Sequence, residues 1–183
     1  MKFIWEKPDF GESFSKLRID EALALLIRCE PRIVDLDRGK RLILPTDFCA
    51  ATQICEEKTW KMWYCPADYL RLAPETLWRA YFYREVDSVL TALGIDTEKL
   101  GTQALKRTEA RPLIDTILST ATNATIDRRG RLTIPEELRN LAEIRERCWL
   151  DVDIWGIYFE DLQKRNRRIK EGVAALQLKL SKD

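Results

Sequence analysis

Two nine-residue stretches of this chain are versions of one motif, and this duplication constrains the fold more than any other feature. The first is DRGKRLILP, from Asp37 to Pro45, and the second is DRRGRLTIP, from Asp127 to Pro135, at an offset of 90 positions. Five positions are identical: Asp37/Asp127, Arg38/Arg128, Arg41/Arg131, Leu42/Leu132 and Pro45/Pro135. Because each copy of an internal repeat is one structural unit, the sequence predicts two equivalent units.

Each copy is predicted to fold as strand, turn, strand, helix and strand. In the first copy these elements are 32–37, 38–40, 41–44, a short helix from Thr46 and an aromatic-rich strand over 58–64. In the second they are 124–127, 128–130, 131–134, a helix with Pro135 in its first turn and a strand over 148–155. Alternation of apolar residues in the strands indicates that each has one buried face.

The rest of the chain reads as helical additions to these two repeats. The predicted units are an N-terminal extension with a short helix (1–30), a first repeat (31–73), a helical connector (74–122), a second repeat (123–161) and an amphipathic basic helix (162–183). Within the connector, helices are predicted over 74–90, over about 96–108 and over 113–118. The aromatic residues of the repeats are predicted to pack in the core or at a subunit interface.

The residue types present argue against several kinds of chemistry. The chain has no histidine, which is the commonest general base and the usual partner of a serine or cysteine nucleophile. Its five cysteines include no Cys-x-x-Cys pair, so they are interpreted as small buried side chains in a reducing compartment. Asp151 and Asp153 are interpreted as an exposed polar face. We therefore predict no enzyme, no catalytic or metal-binding residue, no cofactor and no small-molecule substrate.

Hydrophobicity and charge describe an ordinary globular chain. It is 45% apolar and 33% charged, with a net charge of +1. No run of 18 apolar residues occurs, and residues 1–8 contain no apolar segment of the length found in secretory signals. The sequence therefore predicts a cytoplasmic protein with no membrane partner, while the net charge says little about local patches.

The duplicated motif resembles a known class of fold. Asp-x-x-x-Arg followed by Leu-x-Ile/Leu-Pro, with a helix ending in Leu-Arg, resembles the swapped-hairpin SpoVT-AbrB superfamily, and two copies in one chain resemble the MraZ family. The segment from Ile126 to Arg139 is similar to that family's second repeat, and Met62–Pro66 is similar to the end of its first. Two features depart from the pattern. Gly39 stands one position earlier than Gly130, so the first turn is expected to differ, and Cys49 stands where Arg139 stands in the second repeat.

The resemblance implies both a fold and a function. The fold is α+β, a duplicated AbrB-type swapped-hairpin β-barrel that forms a pseudo-dimer, with a helical connector and terminal helices. The function is transcription regulation without a cofactor, by a homo-oligomer that binds double-stranded promoter or operator DNA. Its expected location is the cytoplasm, in association with the nucleoid.

The predicted DNA-binding residues are the cations of the two hairpins: Arg38, Lys40, Arg41, Arg128, Arg129 and Arg131. Six such charges can neutralise phosphates and release counterions, and arginine can also pair bidentately with guanine. Structural ion pairs, Asp37 with Arg41 and Asp127 with Arg131, are the alternative for two of them. Simple solvated turn charge is the alternative for the other four.

Two further alternatives remain open from the sequence. The cluster Lys164, Arg165, Arg167, Arg168 and Lys170 could add phosphate contacts or form the solvated face of a helix. The whole chain could also be a protein-interaction or assembly module that kept the duplicated fold without binding DNA. Near-neutral charge, the altered first turn and the extra helices favour that second function.

Overall fold

The structure is a computed structural model, and it describes residues 10–65, 67–95 and 111–180. Within these residues the helices are α1 (Phe10–Lys16), α2 (Ile19–Leu26), α3 (Thr46–Ile54), α4 (Glu75–Ala92), α5 (Arg111–Thr120), α6 (Glu136–Leu141) and α7 (Leu162–Leu180). The strands are β1 (Arg32–Asp35), β2 (Arg41–Ile43), β3 (Trp60–Cys65), β4 (Tyr69–Pro74), β5 (Thr122–Ala124), β6 (Arg131–Thr133), β7 (Arg147–Asp153) and β8 (Gly156–Asp161). The connector segment predicted to be helical over 96–108 lies outside the described residues.

The strands form one large sheet and one short ribbon, all of it antiparallel. The sheet has six strands in the order β1-β7-β8-β4-β3-β5, and β2 pairs with β6 as a separate two-stranded ribbon. The predicted α+β class is therefore confirmed. The predicted closed barrel is not seen, because β1 and β5 remain the two edges of the six-stranded sheet in the described chain.

Each repeat contains one more strand than the sequence predicted. The third strand of each copy turns back into a fourth, β4 or β8, which leads directly into a long helix, α4 or α7. The predicted strand over 148–155 was wrong at its end, since β7 stops at Asp153 and a tight turn reverses the chain. Gly156 begins β8 at a φ of 109°, and a Cβ there would lie 2.6 Å from the Leu72 carbonyl oxygen. Only glycine has room at this approach.

Strands of the two repeats interleave. The first strand of each repeat pairs with the third strand of the other, β1 with β7 and β5 with β3. In the ribbon, Arg41 pairs with Thr133; exchanging the copies at an offset of 90 turns this into Arg131 with Ile43, which is also a pair. The β4–β8 pairing is centred on Arg71↔Tyr158, so that its residues exchange at an offset of 87. The repeats are therefore related by an approximate two-fold axis.

Apolar side chains cover both faces of this arrangement. Leu42, Leu132 and Phe48 are fully buried in a cluster where the ribbon, α3 and the sheet meet, and α2 packs on α3 with Ile19 and Leu26 buried. A second cluster joins α4 and α5 to the other side of β3. Of the aromatic residues predicted to pack in the core, Trp63 is fully buried and Trp60 nearly so, while Tyr64, Trp149 and Trp155 are half-buried.

Candidate nucleic-acid interface

The two hairpin turns share one backbone conformation. Each is closed by two hydrogen bonds: Lys40 N to Asp37 O (2.9 Å) and Asp37 N to Arg41 O (2.8 Å), matched by Gly130 N to Asp127 O (2.9 Å) and Asp127 N to Arg131 O (3.0 Å). The last residue of each turn has a positive φ, 58° at Lys40 and 72° at Gly130. This combination is typical of a three-residue hairpin loop that ends in a left-handed residue.

The expectation that the first turn would differ from the second was therefore wrong. Gly39 does not take the left-handed position; Lys40 does, at the place occupied by Gly130 in the other copy. A left-handed lysine is disfavoured by contact of its Cβ with the backbone, by about 1 kcal/mol. The backbone hydrogen bonds that close the turn, together with the Asp37 side chain, hold Lys40 in this conformation.

The aspartate of each turn binds the arginine four residues later. Arg41 Nε donates to Asp37 Oδ2 at 2.9 Å, and Arg131 Nε donates to Asp127 Oδ2 at 2.6 Å. Each aspartate also accepts the backbone N–H of that arginine at 3.0 Å. The side-chain hydrogen bond from Arg131 is the largest cause that lowers the pKa of Asp127 to about 2. Arg41 and Arg131 thus form the structural ion pairs that the sequence offered as one alternative.

The other four hairpin cations are held less tightly. Arg38, Lys40, Arg128 and Arg129 are all exposed. Lys40 Nζ lies 3.5 Å from the Arg145 carbonyl oxygen. Within the described part of the chain, the guanidinium groups of Arg38, Arg128 and Arg129 make no ion pair or hydrogen bond. They are free to contact a polyanion.

The ribbon fixes the distance between the turns. Leu44 N donates to Gly130 O at 2.9 Å, so the second turn lies beside the far end of β2, four residues from Lys40. At about 3.3 Å per residue, the left-handed residues of the two turns are about 13 Å apart along the ribbon. The two sets of cations therefore sit at opposite ends of one short β-ribbon, at equivalent places about the two-fold axis.

Different side chains support the two turns. A Cβ on Gly130 would lie 2.4 Å from Cys49 Sγ, and this thiol donates to the Leu44 carbonyl oxygen at 3.4 Å. The second turn is thus packed against α3, and a groove of about 450 Å³ runs between α3 and this turn. At the first turn Lys40 is exposed, and Arg139 takes the place equivalent to Cys49.

Most of the C-terminal basic cluster fastens α7 to the sheet. Lys164 Nζ lies 3.4 Å from Asp68 Oδ2, Arg168 pairs with the buried Glu160 at 2.7 Å, and the Arg165 guanidinium stacks on Trp149 at 3.9 Å. Burial raises the pKa of Glu160, and Arg168 opposes this shift. Of the five cations, Arg167 and Lys170 are exposed and have no ion pair among the described residues.

A buried arginine near the two-fold axis was not predicted from the sequence. Arg71 in β4 is 4% exposed and binds both carboxylate oxygens of Asp153 at 2.6 Å. Its guanidinium lies between 5.1 and 5.8 Å from the ring centres of Tyr69, Tyr81 and Tyr158. Asp153 is therefore not simply part of an exposed polar face. The sequence did not predict β4 as a strand. Without that strand, nothing indicated that Arg71 would be buried.

The described residues contain no cluster of metal-binding side chains and no membrane-spanning helix. No group of three or more histidine, cysteine, aspartate or glutamate side chains that could hold a metal ion occurs in residues 10–65, 67–95 and 111–180. No described helix is both long enough and apolar enough to cross a membrane. No protein-family model matches this sequence, and no curated protein is detectably similar to it.

Proposed function

We propose that this chain is a DNA-binding transcriptional regulator of the swapped-hairpin AbrB type, resembling the MraZ family. It acts as a homo-oligomer in the cytoplasm, at the nucleoid, and binds promoter or operator DNA through its hairpin cations. One observation carries the proposal: two turns of the same conformation present Arg38, Lys40, Arg128 and Arg129 at the ends of one ribbon. The exchange of strands between the repeats supports the swapped-hairpin relationship.

Within this function, the six hairpin cations divide into two roles. Arg41 and Arg131 hold the aspartates that close the turns, so they keep the turns in shape. The four exposed cations contact the phosphates and base edges. If all four neutralise phosphates, the logarithm of the binding constant falls with the logarithm of salt concentration at a slope of about −4.

The test is binding of the purified chain to the DNA upstream of its own gene, compared with a scrambled duplex across a salt series. We expect selective binding that weakens steeply with salt. The double variant Arg128→Ala/Arg129→Ala should lose it, because both exposed guanidinium groups of one turn are removed. Lys16→Ala/Arg28→Ala is the matched control, since it removes the same charge from exposed positions in α1 and after α2. Equal affinity for both duplexes at every salt concentration would contradict the proposal for this promoter.

A second candidate, a protein-interaction or assembly module, is favoured by one surface. Ile169, Val173 and Leu176 lie on one face of α7 and are 45–61% exposed. In α4, the equivalent helix of the first repeat, Phe82 and Val86 occupy the places of Ile169 and Val173 and are buried. This function predicts that Val173→Glu changes the sedimentation of the protein, while wild type shows no selectivity for any duplex.

A further inference from the structure

The two turns have the same backbone but present different side chains. The first residue of each three-residue loop is an arginine, Arg38 or Arg128. The second is Gly39 in one loop and Arg129 in the other, and the third, left-handed residue is Lys40 or Gly130. One turn therefore carries an arginine and a lysine, and the other carries two adjacent arginines.

This difference affects base recognition more than total charge. Both turns carry two exposed cations, so both can neutralise phosphates. A guanidinium group, however, can donate two parallel hydrogen bonds to O6 and N7 of guanine, whereas an ammonium group is a compact point charge. Arg129 thus adds a potential base contact at a position where the first turn has no side chain.

The second turn is also the better anchored of the two. Both turns have a backbone hydrogen bond to their aspartate, from Arg129 N to Asp127 Oδ1 at 2.8 Å and from Gly39 to Asp37, but only in the second does Cys49 pack directly on the left-handed residue, Gly130. The backbone from which the Arg129 side chain extends is therefore fixed before any ligand binds. A fixed backbone loses less conformational entropy on binding, which favours a specific contact. Lys40 lies in an exposed turn without the equivalent packing.

The spacing of the turns limits the length of DNA that one chain reads. With the ribbon placed along the DNA axis, their separation of about 13 Å corresponds to about four base-pair steps. This is well below one helical repeat, so both turns face the same stretch of groove. A difference between the turns then becomes a difference between the two ends of one short site.

We propose that the chain reads an asymmetric DNA site, with Arg129 as the residue that specifies a guanine at one end only. This inference rests on the proposed DNA-binding function. Arg38 and Arg128 make equivalent contacts at the two ends, Lys40 binds phosphate, and Gly39 leaves one end without the additional base contact. The site is therefore a degenerate palindrome with one more specified base in the half that the second turn contacts.

The experiment is selection of duplexes from a random library by the full chain, followed by titration of each single-base change in the selected site. Wild type should select an asymmetric site. Arg129→Gly, which gives the second turn the glycine of the first, should lower discrimination at one guanine by about tenfold and leave the other end unchanged. Gly39→Arg should create a guanine preference at the opposite end. Lys40→Gly is the control for charge, and should weaken binding to all sequences alike.

The outcomes separate this inference from the function on which it rests. A symmetric selected site, or an Arg129→Gly variant that weakens all sequences equally, overturns asymmetric reading while DNA binding stands. Failure of the wild type to enrich any duplex, together with the same weak binding to every sequence, overturns both.

Discussion

At the scale of single residues, Lys40 is in a conformation that its side chain opposes. The equivalent residue is Gly130, so the fold itself shows which residue this position suits. Lys40→Gly should raise the free energy of unfolding by about 1 kcal/mol, because the contact of the lysine Cβ with the backbone is relieved. Urea denaturation measures the change. Arg38→Gly is the control, since Arg38 has no positive φ, and a gain of equal size there would contradict the explanation.

The ion pair of the second turn gives stability that depends on pH. The pKa of Asp127 falls from its ordinary value of 3.8 to about 2 in the folded chain, chiefly through the hydrogen bond from Arg131. A lowered carboxyl pKa contributes stability that is fully present above the unfolded-state value and is lost as pH falls through the folded-state value. Thermal unfolding of wild type should therefore show a loss of stability between pH of about 4 and about 2 that is smaller in Asp127→Asn. Arg131→Ala should reduce the same loss, and an unchanged acid profile in both variants would argue against the pair.

At the scale of elements, α7 depends on a small number of charged contacts for its attachment. The Glu160 side chain is 1% exposed and has Arg168 as its ion-pair partner, while its Oε1 atom has no hydrogen bond in the described structure. Arg168→Ala leaves this carboxylate without its ion pair and should destabilise the chain by about 2 kcal/mol, less than a fully buried pair because Arg168 is largely exposed.

Hydrogen exchange along α7, together with urea denaturation, measures this effect. Arg167→Ala is the matched control, since the neighbouring Arg167 is exposed and should change stability by no more than about 0.5 kcal/mol. Equal effects of the two substitutions would show that the Glu160 pair does not fasten the helix.

Among the helices and strands, some could be predicted from the sequence and others could not. The hairpin elements β2 and β6 and their turns were predicted because Asp, Gly and Pro mark the turn and strand ends so clearly. In contrast, β4 and β8 were missed, because nearly every residue in them is buried and so the alternation of a one-sided strand is absent. Because these two strands were not predicted, the burial of Arg71 and Glu160 was not predicted either. The left-handed conformation of Lys40 was not predicted either, because glycine adopts this conformation most readily and Gly39 is the glycine of that turn.

At the scale of the whole molecule, the interleaved strands make the two repeats parts of one structure. Leu42 and Leu132 pair with each other in the ribbon, on the two-fold axis, and neither is exposed to solvent. Truncation of either leucine side chain leaves a cavity that both repeats line. We therefore expect a single cooperative unfolding transition in which neither repeat unfolds first.

The two leucines give a direct test of this equivalence. Leu42→Ala and Leu132→Ala should each lower the free energy of unfolding by about 3 kcal/mol, because each removes buried methyl groups and leaves a cavity. Because the side chains are neighbours, the double variant should depart from the sum of the single effects by at least about 0.5 kcal/mol. Denaturation followed by tryptophan fluorescence and by circular dichroism should give coincident curves for every variant. If Leu132→Ala instead separates the curves, the second repeat unfolds on its own and the strand exchange does not couple the two halves.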